Sequence, residues 1–98
     1  MTEFQVFVLP EAEAEIAAAF SWYFERNPQA ADAFRVEVLD VIDSLSDRPR
    51  RWKNEDDGAH RRVLRHFPYT VVFDVEGDSV YVLAVAHQRR APGYWRKR

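Results

Sequence analysis

The chain contains no cysteine, which excludes a disulfide framework, a thiolate nucleophile and any metal site built on sulfur. It contains no apolar run near the roughly 18 residues needed to span a bilayer. Its first residues, Met1-Thr2-Glu3-Phe4, lack the basic start of a secretory leader. No internal repeat, linker or low-complexity stretch interrupts it. No pair of His, Asp or Glu residues has the spacing of a known metal motif, so neither a metal nor a cofactor is expected. One domain over residues 1–98, in the cytoplasm, is the expectation that these absences leave.

What is present is an ordinary globular composition, 47% hydrophobic and 31% charged, with an uneven distribution of charge. Residues 1–47 hold ten acids against Arg26 and Arg35, and residues 48–98 hold six acids against twelve bases. The net charge of −2 therefore joins an acidic first half to a basic second half, and a basic surface for a partner stays open.

Phe4 to Leu9 is short, apolar and rich in β-formers, and reads as a strand that Pro10 ends. Glu11, Glu13 and Glu15 then place negative charge at a helix start, where the macrodipole favours it. Ala12, Ile16, Ala19, Phe20, Tyr23 and Phe24 follow as one stripe. Asn27-Pro28 is an N-cap followed by a first-turn proline, and Phe34, Val38, Val41, Ile42 and Leu45 recur at steps of three and four. Asp47-Arg48-Pro49 stops this second helix, and Arg50 to Gly58 reads as an exposed loop. His60 to Phe67 alternates charged and apolar residues. Tyr69 to Val75 and Ser79 to Ala86 are β-rich runs joined by Glu76-Gly77-Asp78. The order is β-α-α-β-β-β: an α+β fold with a helical hairpin on one face of a twisted, mainly antiparallel sheet. The other face of the sheet is expected to be free to bind. Strict alternation in the last strand would set Val80, Val82, Ala84 and Ala86 against Tyr81, Leu83, Val85 and His87.

The end of the chain carries the strongest functional signal. His87, Arg89 and Arg90 follow the last strand, and then Tyr94 and Trp95 stand among Arg96, Lys97 and Arg98. Aromatics interleaved with cations suit stacking on bases, cation–π contact or a grip on another protein. Trp95 reads equally as a residue that folds back to cap the core. His87 reads as a structural strand-end histidine or as a proton carrier. His66 reads as structural, His60 as a solvated loop residue, and Trp22 and Trp52 as packing.

Taken in order and spacing, several segments resemble the RelE/ParE toxin superfamily, in particular its ParE-type branch of plasmid stabilisation proteins. They are the Glu-rich first helix, Trp22-Tyr23-Phe24, the Leu45 to Pro49 exit, Arg62-Val63-Leu64-Arg65-His66-Phe67-Pro68-Tyr69, and Val85-Ala86-His87, Arg89-Arg90-Ala91-Pro92, Tyr94-Trp95 and Arg98. The resemblance covers nearly the whole chain. It implies the same β-α-α-β-β-β fold and the toxin half of a bacterial type II toxin–antitoxin pair. A cognate antitoxin protein would be a partner, as a hetero-oligomer or beside a toxin homodimer. It further implies growth arrest by inhibition of DNA gyrase, with Arg89, Arg90, Tyr94, Trp95 and Arg98 binding the target and His87 and Arg65 in support.

Two alternatives stand beside this reading. One is a metal-independent, ribosome-dependent mRNA endonuclease, in which His87, Arg62, Arg65, Arg89 and Tyr94 would act on RNA. RelE-like nucleases tend to show a lysine-rich set near the second strand. Here that stretch offers Lys53 beside Glu55-Asp56-Asp57, so the resemblance favours an inhibitor over an enzyme. The other alternative is an interaction module that keeps the fold without the toxicity.

Overall fold

Two prolines and one asparagine set the helical half of the molecule. A computed structural model describes residues 3–52, 58–90 and 93–97. After strand β1 (Gln5–Val8), Pro10 opens helix α1 (Pro10–Arg26) at a position whose N–H the helix would leave unbonded. Asn27 closes α1 and opens helix α2 (Pro28–Ser44). Its backbone N–H donates to Tyr23 O at 2.6 Å, and its side-chain oxygen accepts from the N–H groups of Gln29 and Ala30 at 3.1 and 3.3 Å. One residue thus caps two helices and fixes the angle between them.

Beyond α2, Arg48 takes a left-handed conformation (φ 48°) and a single 3-10 turn, Pro49–Arg51, leads towards the sheet. Strands β2 (His60–Val63), β3 (Tyr69–Glu76) and β4 (Ser79–His87) follow, and a second 3-10 turn, Tyr94–Lys97, closes the described chain. Gly77, at φ +55°, starts the two-residue connection from β3 to β4, a conformation glycine adopts without a Cβ penalty. The sheet order is β1-β4-β3-β2, with β1 parallel to β4 and the other pairs antiparallel. The α+β architecture read from the sequence is the one observed.

The register departs from strict alternation at one point. Val72 pairs with Ala84, but Phe73 pairs with Val82, so Leu83 is an extra residue in β4, a β-bulge. Before it, Val80 and Val82 face the helices; after it, Val85 does, while Ala84 turns to the opposite face. The helix-side core joins Val71, Phe73, Val80, Val82 and Val85 to Ala12, Ala19, Phe34, Val38, Ile42 and Leu45. At one end, Tyr23, Phe34, Phe67 and Tyr69 form a cluster of rings with centroids 5.2–6.5 Å apart. Burial raises the Tyr23 and Tyr69 hydroxyl pKa values, the latter helped by Tyr23.

The opposite face is not wholly free. Trp95 packs there on Ala59, Val72 and Ala84 and is only 9% exposed. His60, read as a loop residue, is instead the start of β2. It is 7% exposed, its ring stacks on Phe73 and its Nδ1–H donates to Trp52 O at 3.0 Å. Trp22, read as packing, is half exposed at 52%, with the Arg26 guanidinium 3.8 Å from its ring centroid. Phe24 also leaves the stripe assigned to it and is exposed. Among the described residues, no helix is long and apolar enough to cross a membrane.

The packing implies two graded losses. Phe34→Ala, at a fully buried position, is expected to lower the unfolding free energy by about 3–5 kcal/mol. Asn27→Ala is expected to lower it by about 1 kcal/mol through the lost cap. Urea unfolding of the purified variants reads both.

Candidate target-binding surface at the end of strand β4

Strand β1 is shorter than the strand it pairs with, and that difference creates the site. Their pairing stops at Val8 and Val82, where the Leu9 N–H donates to Val82 O at 3.1 Å. Farther along β4 the edge on this side meets a side chain instead of a strand: Glu15 Oε1 accepts the Val85 N–H at 2.9 Å. Glu15 reaches it because it lies in the same stripe of α1 as the buried Ala12 and Ala19, three and four residues away. Its second oxygen, Oε2, accepts a hydrogen bond from the Tyr94 hydroxyl.

The Tyr94 ring then organises the end of the chain. The Arg90 guanidinium lies over it at 3.9 Å from the centroid, and Trp95 meets it edge-on at 5.6 Å. The Arg61 guanidinium lies 5.1 Å from the Trp95 centroid on the outer face of the sheet. His87, on the helix side after the bulge, stands edge-on to Tyr69 at 5.1 Å. Its Nδ1 accepts the Arg89 N–H at 3.1 Å, so Nε2 is the nitrogen left to carry a proton.

Two hollows flank this edge. One, of about 580 Å³, lies between α1 and the end of β4 and is lined by Glu15, Trp22 and Tyr23 among others. A smaller one, of about 150 Å³, lies on the outer face and includes Arg61, Thr70 and Trp95. His87, Arg90 and Tyr94 line both, and so form the wall between them.

The residues named from sequence are therefore only partly gathered. His87, Arg90, Tyr94 and Trp95 meet here, and Arg89 is exposed directly beside them. Arg62 and Arg65 lie elsewhere, in a groove of about 660 Å³ between α2 and β2. Arg62 points towards the helices, stacks on Trp52 at 4.3 Å and donates to the Ser44 hydroxyl. Burial first, and then the Arg51 charge, lowers its pKa. Arg65 gives its backbone N–H to Glu37. Arg61 is the β2 arginine that faces the end of β4. Arg98, Lys53 and the Glu55-Asp56-Asp57 cluster lie outside the described residues. Among the described residues there is no group of three or more His, Asp or Glu arranged to hold a metal ion.

Glu15 and Glu37 were missed as individuals. The signal for Glu15 was its place between Ala12 and Ala19, since a carboxylate inside an apolar stripe needs partners. Glu37 likewise reaches across from α2. It accepts the N–H groups of Arg65 and His66, the latter at 3.2 Å, and the His66 Nδ1–H at 2.7 Å.

With fold and site described, the comparisons give the class. The family model described as ParE toxin of type II toxin–antitoxin system, parDE, matches residues 6–92. A solved structure titled as the chromosomal ParDE TA system from P. aeruginosa is similar to this chain at 18% identity and a TM-score of 0.76. The match covers 87% of this chain and 96% of that one. No curated protein matches significantly. The fold is that of the RelE/ParE superfamily of toxins. Within it, the chain belongs to the ParE toxin family of type II toxin–antitoxin systems.

The Glu37 contacts carry a pH signature. Burial pushes this carboxyl up, but the hydrogen bonds from His66 and Arg65, together with the His66 charge, outweigh burial and hold it below its ordinary 4.5. A carboxylate depressed in the fold stabilises the protein above its unfolded-state value and loses that contribution as pH falls through the folded one. Glu37→Ala is therefore expected to cost about 1–3 kcal/mol at neutral pH. The difference from the parent should shrink as pH falls below 4.5, as measured by urea unfolding across that range.

Proposed function

We propose that this toxin arrests growth by binding an essential macromolecule through the end of β4 and the closing turn, with DNA gyrase as the target. A cognate antitoxin is the partner that silences it by covering this surface, a task suited to a segment that folds on binding. One observation carries the reading. Arg90 is stacked on Tyr94, and Tyr94 is itself tied to Glu15, so a cation and an aromatic ring are held together at a strand end next to exposed Arg89. Paired aromatic and arginine anchors of this kind dominate many binding interfaces.

Ribosome-dependent mRNA cleavage is the second reading, and the outer-face hollow speaks for it. Arg61, His87, Arg90 and Tyr94 converge there, which places cations, an imidazole and a phenol around one small space. Against it, Arg62 and Arg65 belong to the α2–β2 groove, so the residues expected to act together on RNA are divided between two places.

Pulse labelling after induced expression separates the two. DNA synthesis is expected to fall first; protein synthesis falling first would overturn the gyrase reading in favour of mRNA cleavage. Substitution adds a second test. Arg90→Glu is expected to weaken arrest about tenfold or more, whereas His87→Gln should leave it within about threefold, because a binding surface needs no proton carrier. Removing residues 92–98 would be a poorer probe, since it also strips Trp95 from Ala59, Val72 and Ala84.

A further inference from the structure

We infer that Glu15, on the helix opposite the tail, is the positioning residue of this surface. The inference rests on the reading of the β4 end as the working surface, and it concerns how that surface is held in place. Each oxygen of the Glu15 carboxylate serves a different element. Oε1 takes the Val85 N–H at 2.9 Å, just beyond the bulge at Leu83, and Oε2 takes the Tyr94 hydroxyl. A half-buried carboxylate in an apolar helix stripe is costly unless such partners are supplied, so the two contacts stabilise each other's geometry. Arg90 follows, because its guanidinium rests on the Tyr94 ring. Trp95 secures the other side of the edge by packing on Val72 and Ala84.

Among the described residues the tail is thus held from both sides of the sheet, and Glu15 supplies a polar contact from the α1 side. Losing it would leave the Val85 N–H without this acceptor and remove the hydrogen bond from the Tyr94 hydroxyl to α1, which loosens the ring on which Arg90 rests. Glu15 would touch no target atom; it acts through Tyr94.

The experiment uses the full chain with Glu15→Ala, Glu15→Gln, Tyr94→Phe and Arg90→Ala. Amide hydrogen exchange at Val85 and the Trp95 indole resonance report the tail, and induced growth arrest reports the function. Glu15→Ala is expected to speed Val85 exchange about tenfold or more, shift the indole resonance and weaken arrest about as much as Arg90→Ala. Glu15→Gln keeps an oxygen for Val85 and an amide that can donate to the Tyr94 oxygen; it should restore protection and arrest. Tyr94→Phe removes one hydroxyl and leaves the Val85 contact, so it tests the link even where Glu15→Ala fails to fold. It should weaken arrest while Val85 stays protected. Unchanged exchange in a folded Glu15→Ala protein, or full arrest in both Glu15→Ala and Tyr94→Phe beside a disabled Arg90→Ala, would overturn the inference. Full arrest in Arg90→Ala would instead remove the functional reading, and the exchange and indole data would still decide whether Glu15 holds the tail.

Discussion

A single extra residue in β4 decides what the end of that strand and the turn after it can do. With Leu83 inserted opposite the step from Val72 to Phe73, every later side chain of β4 changes face relative to strict alternation. Val85 enters the helix-side core, His87 comes to lie beside Tyr69, and Ala84 goes to the outer face. Ala84 leaves room on that face for the Trp95 ring. Leu83 remains half-buried against the same cluster. Without the bulge, His87 would face away from α1, and the wall it shares with Arg90 and Tyr94 could not form between the two hollows.

The charge asymmetry resolves into a seam rather than two remote faces. Asp32, Glu37 and Asp40 of α2 border the same groove as Arg62, Arg65 and His66. Its apolar lining includes Val36 and Val63, the latter 55% exposed. Glu37 crosses the seam to hold the start of the turn after β2. Among the described residues, the cations that border the end of β4 include a different group: Arg61 from the sheet and Arg89 and Arg90 from the strand end. Basic residues adjacent in sequence at positions 61 and 62 are thus assigned to opposite sides of the sheet by the pleat alone.

Much of the fold was legible because its punctuation is local. Pro10, Asn27-Pro28 and Gly77 act through their own dihedrals and caps, and the stripe from Phe34 to Leu45 is a helical period with a buried outcome. The bulge was not legible. Val82-Leu83-Ala84-Val85 is apolar throughout, so no residue marks where the period slips. His60 was misread as solvated, although the run it opens was read as sheet, because its burial depends on Phe73 across the sheet. The candidate site divides in the same way. Its tail residues announce themselves by composition. Glu15 becomes relevant only once α1 and the closing turn meet in space, 79 residues separating it from Tyr94.

The way the tail is held also bears on the kind of binding it can support. A side chain that must be immobilised on association costs about 0.5–1.5 kcal/mol of ordering free energy. Arg90 and Tyr94 are ordered beforehand by stacking and by the Glu15 hydrogen bond, so much of that cost falls on folding instead of on binding. The same restraint works against proton-transfer chemistry. His87 Nδ1 is committed to the Arg89 N–H, and any proton shuttle would have to run through Nε2 alone. His66 is tied to Glu37 on another side of the molecule. With its cation and ring fixed and His87 engaged through Nδ1, this surface fits the proposed role of holding a partner.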